Sequence, residues 1–296
     1  MLPISLIIHT KNSEDTLQRA VDSASAYVSE VIVVDMQSSD STRTLAKQLG
    51  ARVISVPNAD YADPARQTGI DSARHEWIFM LDADEVASPL LFDAVKPHLN
   101  DPQISGIELP RKNMIFDTWA KTGWWPDYIC RIFRKDKTFW PSGLHSKPVV
   151  TGTVIQLPAN PSIAILHHHY DSVDQYLNRM NRYTSIKARE FEGRPEEGMI
   201  TYASQEFFRR YFFHKGYAQN TYGMILSTLQ AISHTVEWIK IWERNKDEML
   251  ISEETVEHEI DEMFRHMAYW FADRKVDKST NFFDRLYWKI RRKLQL

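Results

Sequence analysis

The sequence predicts an α/β fold: a domain over residues 1–170 whose first hundred residues build an open parallel sheet, followed by a helical carboxy-terminal region through residues 171–296. Three observations predict it. Strand and helix signals alternate at short spacing through the first hundred residues, as in successive βαβ units. The apolar run Trp77-Ile78-Phe79-Met80-Leu81 reads as a buried strand and stops at two carboxylates, Asp82-Ala83-Asp84. Beyond residue 170 the pattern changes to helical spacing.

Residues 4–9 (ISLIIH) form the first strand, and the helix after it carries Leu17, Ala20, Val21, Ala24 and Val28 on one face. Residues 30–35 (EVIVVD) form the second strand. Asp40 or Ser41 is suited to cap the next helix, which runs toward Gly50, and Ala51 to Val56 form a third strand. A helix opens near Asp63-Pro64, where proline's missing N–H is not needed, and leads to the strand ending at Leu81. Ser88-Pro89 opens another. Residues 129–134 alternate as a strand, placing Arg131 and Arg134 toward a phosphate or acidic group, or toward solvent. From Asp171 or Ser172 a helix carries Val173, Tyr176, Leu177, Met180 and Tyr183 at helical spacing, read as core packing. Glu192-Gly193-Arg194-Pro195 is a break, and helices are expected at 201–214, 217–245 and 252–272.

Composition limits what these elements can mean. The 296 residues are 43% hydrophobic and 25% charged, as in an ordinary soluble globular protein able to bury a sizeable core. A formal net charge of −3 argues against a nucleic-acid partner. The lone Cys130 forms no internal disulfide, so a reducing, cytoplasmic compartment is expected. Met1-Leu2-Pro3-Ile4 runs straight into a strand pattern, unlike a signal peptide. No stretch approaches the ~18 uninterrupted apolar residues of a spanning helix.

Short connections and right-handed crossovers align the strand carboxyl ends along one crevice, where open α/β sheets bind ligands. Thr10-Lys11-Asn12, Asp35, Pro57-Asn58 and Asp82 with Asp84 all fall there. Each alone also reads as a polar loop, and the acidic cluster as a solvated turn. Four polar termini on one edge exceed what loops require. Two acids one residue apart at a strand end can share a hard divalent cation, with Glu85 beside them, and such a cation holds a diphosphate. Neither GxGxxG nor GxxxxGK[ST] is present, and His9-Thr10-Lys11-Asn12 stands where a glycine-rich loop would follow the first strand.

The run ISLIIHTKNSEDTLQRAVDSASAYVSEVIVVDMQSSDSTRTLAKQLGARVISVP resembles the start of the nucleotide-binding domain of glycosyltransferase family 2. It has T-K-N after the first strand, then D-x-x-S-x-D-x-T as Asp35-Met36-Gln37-Ser38-Ser39-Asp40-Ser41-Thr42, and the D-x-D pair later. GWWPDYICRIFRKDKTFWPSGLH, LHHHYDSVDQYLNRMNRYTSIKA and FFRRYFFHKGYAQNTYGMILSTLQA extend the resemblance to the branch of bacterial lipopolysaccharide core glucosyltransferases. The resemblance implies a GT-A fold, with a donor half over residues 1–100 and an acceptor half over residues 101–170. It also implies a nucleotide-diphosphate sugar, foremost a UDP-sugar, an inverting mechanism, and Mn²⁺ or Mg²⁺. By position, Thr10 and Asn12 would lie near the nucleoside, Asp35 would bond the base and Arg66 would approach the donor. Asp82 would sit near the ribose or metal, Asp84 would bind the metal, and His167, in the H-x-x-Y pattern ending at Tyr170, is a candidate third ligand or a structural histidine.

The attacking hydroxyl then needs a base. Asp127, in Trp124-Trp125-Pro126-Asp127-Tyr128, is preferred, because aromatic neighbours can stack on sugars and desolvate a carboxylate. His145 is the rival. Related sequences carry His-Glu where this chain has His145-Ser146, so a glutamate role does not transfer. His167-His168-His169 does not suggest zinc, since consecutive strand residues cannot all face one ion. The segment from Phe282 to Lys293 joins an aromatic stripe to basic charge, suited to an anionic bilayer or to docking on its own domain. The expected function is transfer of a sugar to a hydroxyl of an envelope glycan or lipid-linked acceptor, at the inner face of the plasma membrane. A polyprenyl-phosphate sugar transferase and a non-catalytic nucleotide- or glycan-binding protein are the alternatives, and an oligomer is compatible with the sequence.

Overall fold

Ile4, Leu6, Ile7 and Ile8 have no solvent exposure, because β1 (Leu2–Thr10) runs through the middle of a sheet covered on both faces. The chain continues through α1 (Leu17–Ser25), β2 (Val28–Asp35), α2 (Thr42–Gln48), β3 (Arg52–Ser55), α3 (Asp63–Ser72) and β4 (Trp77–Asp82). The computed structural model describes residues 1–58, 63–143, 146–193, 195, 197–246 and 249–295. Ile4, Leu6 and Ile8 pack with Val33, Phe79, Leu81 and the α1 residues Leu17, Ala20, Val21 and Ala24. Ile7 lies on the other face with Ile32, Val34, Ile78, Met80 and the α3 residues Ala65 and Ile70. Burial on both faces explains why these strands read as unbroken apolar runs.

β1 pairs in parallel with β2 and β4, in a register that sets Thr10 beside Asp35 and His9 beside Asp82. β3 extends the parallel set beyond β2, with Ser55 beside Asp35. The chain then forms β5 (Glu85–Val86), α4 (Pro89–Val95), β6 (Ile104–Ile115), β7 (Thr118–Trp119) and β8 (Asp127–Arg134). β9 (Thr138–Phe139), β10 (Val149–Val150), β11 (Thr153–Gln156) and β12 (Ile165–Tyr170) follow. The sheet order is β3-β2-β1-β4-β8-β6-β12-β5, with β7 and β11 also on β6. The strands expected to be parallel, β1 to β4, are so, and the later strands make the sheet mixed: β8 runs antiparallel to both β4 and β6.

The chain divides into two compact units, Met1–Trp119 with Trp124–His169, and Ala120–Gly123 with Tyr170–Leu296. The second unit holds α5 (Val173–Glu190), α6 (Met199–Phe208), α7 (Asn220–Asn245), α8 (Glu253–Lys278) and α9 (Phe282–Leu294). Ser172 caps α5 by accepting from the Gln175 N–H. Of the stripe expected to be core on α5, only Tyr176 is buried; Val173 and Leu177 are exposed. The helix instead buries Thr184, Ile186 and Ala188 along with Tyr176. It is tied to α7 by Tyr176 Oη donating to Leu229 O at 3.0 Å and Lys240 Nζ donating to Thr184 Oγ1 at 2.8 Å. The helix expected over 201–214 ends its regular turns at Phe208 and widens into a π turn over Arg209–Phe213. α8 runs past 272 to Lys278, because Ala272 and Val276 are buried in its last turns.

α3 can approach the sheet only because Gly69 has no side chain. A β-carbon there would lie 2.8 Å from Ile7 Cγ2, 3.1 Å from Val34 Cγ2 and 3.2 Å from His9 Nε2. Gly69→Val should lower stability by about 1–3 kcal/mol through overpacking. An unchanged urea midpoint would show that α3 does not depend on this close approach.

Candidate functional site

The loops after β1 and β2 are sewn together by the side chains of the D-x-x-S-x-D-x-T segment. Asp35 accepts from the Ser38 N–H at 3.3 Å, and Ser38 Oγ accepts from the Asn12 N–H at 2.9 Å. Asp40 accepts from the N–H groups of Glu14 and Thr42, and Thr42 Oγ1 accepts from the Ser13 N–H at 2.8 Å. Asp40 thus caps α2 through Thr42, while the Ser41 side chain makes no capping bond. Asn12, at φ 48°, accepts from the Ser39 N–H through Oδ1 at 2.8 Å. Its side chain braces this edge of the crevice. Thr10 is buried, and its hydroxyl has no hydrogen-bond partner among the described residues.

Strand parity decides where Asp82 points. Ile78, Met80 and Asp82 alternate onto the α3 face of β4, so the Asp82 carboxylate meets Arg66 of α3. Arg66 Nη2 donates to Asp82 Oδ1 at 2.9 Å, and its guanidinium lies 4.8 Å from the Trp140 ring centre. Arg131 of β8 donates to Asp82 Oδ2 and, at 2.9 Å, to Glu85 Oε1. The Asp82 carboxyl is held well below its ordinary 3.8, because the attraction of Arg131 and then Arg66 outweighs the opposing cost of burial. Glu85 is fully buried; it also accepts from Arg111 Nη1 at 3.0 Å and, through Oε2, from the Asp82 N–H at 3.0 Å.

Arg111 carries this network to Asp127. The two residues are directly opposite on β6 and β8, and Arg111 donates through Nε at 2.9 Å and Nη2 at 2.6 Å to Asp127 Oδ2. Asn113, on the same face of β6, donates from Nδ2 to that oxygen at 3.0 Å. Asn113 Oδ1 lies 2.7 Å from His167 Nδ1, an acceptor that assigns the proton to Nδ1 and leaves the lone pair on Nε2. His167 Nε2 is 3.7 Å from Asp84 Oδ2. The chain of contacts runs Arg66, Asp82, Arg131, Glu85, Arg111, Asp127, Asn113, His167, Asp84.

Asp84 and His167 are therefore brought together, and the lone pair of one faces the carboxylate of the other. That donor set fits two positions of a divalent cation's coordination sphere, with phosphate or water oxygens to supply the rest. Asp82, expected as a further ligand, is turned to its two arginines, and among the described residues no three His, Cys, Asp or Glu side chains gather in a metal-binding group. His167 and His169 share a face with ring centres 4.5 Å apart, while the His168 N–H pairs with Asp84 O. Beside Asp127, Trp125 meets Trp119 edge to face at 5.4 Å and Trp124 meets His169 at 6.3 Å. His145 lies outside the described residues. Sequence reasoning missed Arg111 and Asn113, and left Arg131 open between ligand and solvent; the contacts of Arg111 and Asn113 with Asp127 emerge only from the pairing of β6 with β8, and those of Arg131 from the pairing of β8 with β4.

A family model described as Glycosyl transferase family 2 matches residues 5–154. The chain is similar to an uncharacterized glycosyltransferase of Rickettsia felis, at 26% identity over 95% of this chain and 100% of that one. It is also similar to uncharacterized glycosyltransferase RP128 of Rickettsia prowazekii, at 27% identity over 72% and 79% of the two chains. Among solved structures it is similar to glucosyl-3-phosphoglycerate synthase from Mycobacterium tuberculosis in complex with Mn²⁺, uridine-diphosphate and glucosyl-3-phosphoglycerate. There the identity is 28% and the TM-score 0.32, and the match spans 37% of this chain and 43% of that one.

The buried imidazole next to this network gives the site a pH signature. His9 Nε2 lies 3.2 Å from Ala65 O, and burial, then the Arg66 charge, push its pKa from 6.5 to about 3. Between those values the unfolded chain binds a proton that the folded chain does not. Stability therefore rises with pH across that window and falls as the solution is acidified through it. His9→Gln should show a smaller loss of urea midpoint than the unaltered chain between about pH 7 and about pH 4.5. Parallel losses in both would remove His9 as the source.

Proposed function

The chain belongs to glycosyl transferase family 2 and is a glycosyltransferase, and from that premise we propose how its amino-terminal GT-A unit transfers a sugar. The donor is a nucleotide-diphosphate sugar, a UDP-sugar foremost, and the reaction inverts the anomeric centre. Asp84 and His167 would hold a Mn²⁺ or Mg²⁺ ion, which when bound offsets the charge developing on the leaving diphosphate. The observation that carries the reading is the placement of Asp127 by Arg111 and Asn113, with Asn113 also fixing His167 toward Asp84.

Asp127 Oδ2 is clamped by three N–H donors, which orients Oδ1 as the oxygen that takes the acceptor proton. As the acceptor oxygen bonds to the anomeric carbon, the bond from that carbon to the diphosphate breaks, and its electron pair leaves with the nucleoside diphosphate. Arg66 and Arg131 hold Asp82 at the donor edge, and Asp35, buried at the end of β2, is the candidate partner for a base N–H. Thr10 and Asn12 border the nucleoside. His145 remains the rival to Asp127. The Trp124 and Trp125 rings offer apolar faces to an acceptor sugar. The acceptor is a hydroxyl of an envelope glycan or lipid-linked glycan of the lipopolysaccharide core type, reached at the inner face of the plasma membrane with the basic aromatic carboxy-terminal helix as peripheral contact.

Thermal-shift titration with a panel of nucleotide sugars, with and without Mn²⁺, should reveal a donor whose binding depends on the cation. Asp84→Ala should lose that cation-dependent shift; a shift equal to that of the unaltered chain would sink the metal assignment. Asp127→Asn should bind the same donor normally and turn over about 10²–10⁴-fold more slowly. Weakened donor binding with normal turnover would give Asp127 another role.

A further inference from the structure

Helix α9 docks with one side and leaves an apolar side uncovered. Its Trp288 ring meets Phe271 of α8 edge to face at 5.9 Å, and Arg292 pairs with Asp273. On the other side Phe283, Tyr287, Ile290 and Leu294 recur at helical spacing, and Phe283 is 78% exposed and Ile290 51% exposed. Phe282 and Leu286 widen this stripe. A soluble surface does not ordinarily present so many large apolar side chains together.

Charge says what covers this face. α9 carries Arg285, Lys289, Arg291, Arg292 and Lys293 against the single acid Asp284. Arg285 and Lys289 are exposed beside the apolar stripe, long enough to reach upward while their stems lie along it. A symmetric pairing with a second copy would set this basic helix against itself, which like-charge repulsion opposes. No helix among the described residues is long and apolar enough to cross a membrane. We propose that the exposed face of α9 is an in-plane docking surface for an anionic lipid bilayer, with Phe282, Phe283, Tyr287 and Ile290 inserted at headgroup depth and the basic residues of the same helix over lipid phosphates. The proposal deepens the peripheral placement given above, and lipid binding is read without donor or acceptor, so it stands or falls separately from the sugar chemistry.

The test is sedimentation of the full chain with vesicles of phosphatidylcholine alone and of phosphatidylcholine with phosphatidylglycerol. The unaltered chain should bind the anionic vesicles, bind the neutral ones at least about tenfold more weakly, and be released by salt. Phe283→Asp with Ile290→Asp should weaken anionic binding by about tenfold or more, with unchanged circular dichroism. Arg285→Glu with Lys289→Glu, which leaves the apolar stripe intact, should weaken anionic binding and leave neutral binding as it was. Equal partition to both vesicle types, no binding to either, or a dimer that the Phe283 and Ile290 changes dissociate would overturn the proposal.

Discussion

Glu85 is a carboxylate with no solvent exposure, and the arrangement of the site depends on how its charge is met. An unpaired charge in that position would cost several kcal/mol. Arg131 and Arg111 converge on Oε1, while the Asp82 N–H satisfies Oε2. These partners come from β8, β6 and β4, so one carboxylate joins the parallel half of the sheet to the antiparallel half. Each arginine has donors left over. Arg131 directs them to Asp82 and Arg111 to Asp127, and the positions of both acids follow from the need to bury Glu85 in its paired form.

The three acids Asp82, Asp84 and Glu85 thus divide into different tasks. Asp82 points to the α3 face and is neutralised by two guanidinium groups; Glu85 points inward; Asp84 faces His167. The Asp84 and His167 pair contributes one negative charge and two ligand atoms, too little to hold a hard cation strongly without further oxygen donors. A nucleoside diphosphate supplies both the oxygens and the charge. On the proposed reading, cation and donor therefore bind as a unit, and the three nearby arginines favour the anion that accompanies the cation over the cation alone.

The parallel half of the fold was legible because long apolar runs bounded by turn residues admit few alternatives, and their polar ends line up once the crossovers are right-handed. Asp35, Asp82 and Asp84 could be read as lying at one edge for that reason. The divergence of Asp82 from Asp84 was not legible as a contact, since it needs the identity of the residue that α3 presents, Arg66, opposite the strand face. Arg111 and Asn113 were invisible for a related reason. They sit in a strand whose partner is fixed by an antiparallel register, Arg111 against Asp127, that no local pattern announces. On α5 a helical stripe is visible in the sequence, but it is not the side that packs: the helix meets α7 through Tyr176 and its carboxy-terminal half. α9 shows the same limit in reverse, since its amphipathic pattern was plain while the side that docks on α8 was not.

The D-x-x-S-x-D-x-T segment shows how a binding motif can be mostly architecture. Ser38, Asp40 and Thr42 direct their side-chain oxygens to N–H groups of the segment Asn12 to Glu14 or of α2 itself. Their spacing is explained by the need to fasten the loop after β1 to the loop after β2. Asp35 differs. It is fully buried, yet its carboxylate is met at 3.3 Å by one N–H shared between its two oxygens and at 3.6 Å by Arg43. A carboxylate has room for about four hydrogen bonds, and short charge-assisted ones are the strong ones. Asp35 thus keeps bonding capacity at the end of β2, held in place by a brace that is complete before any ligand arrives.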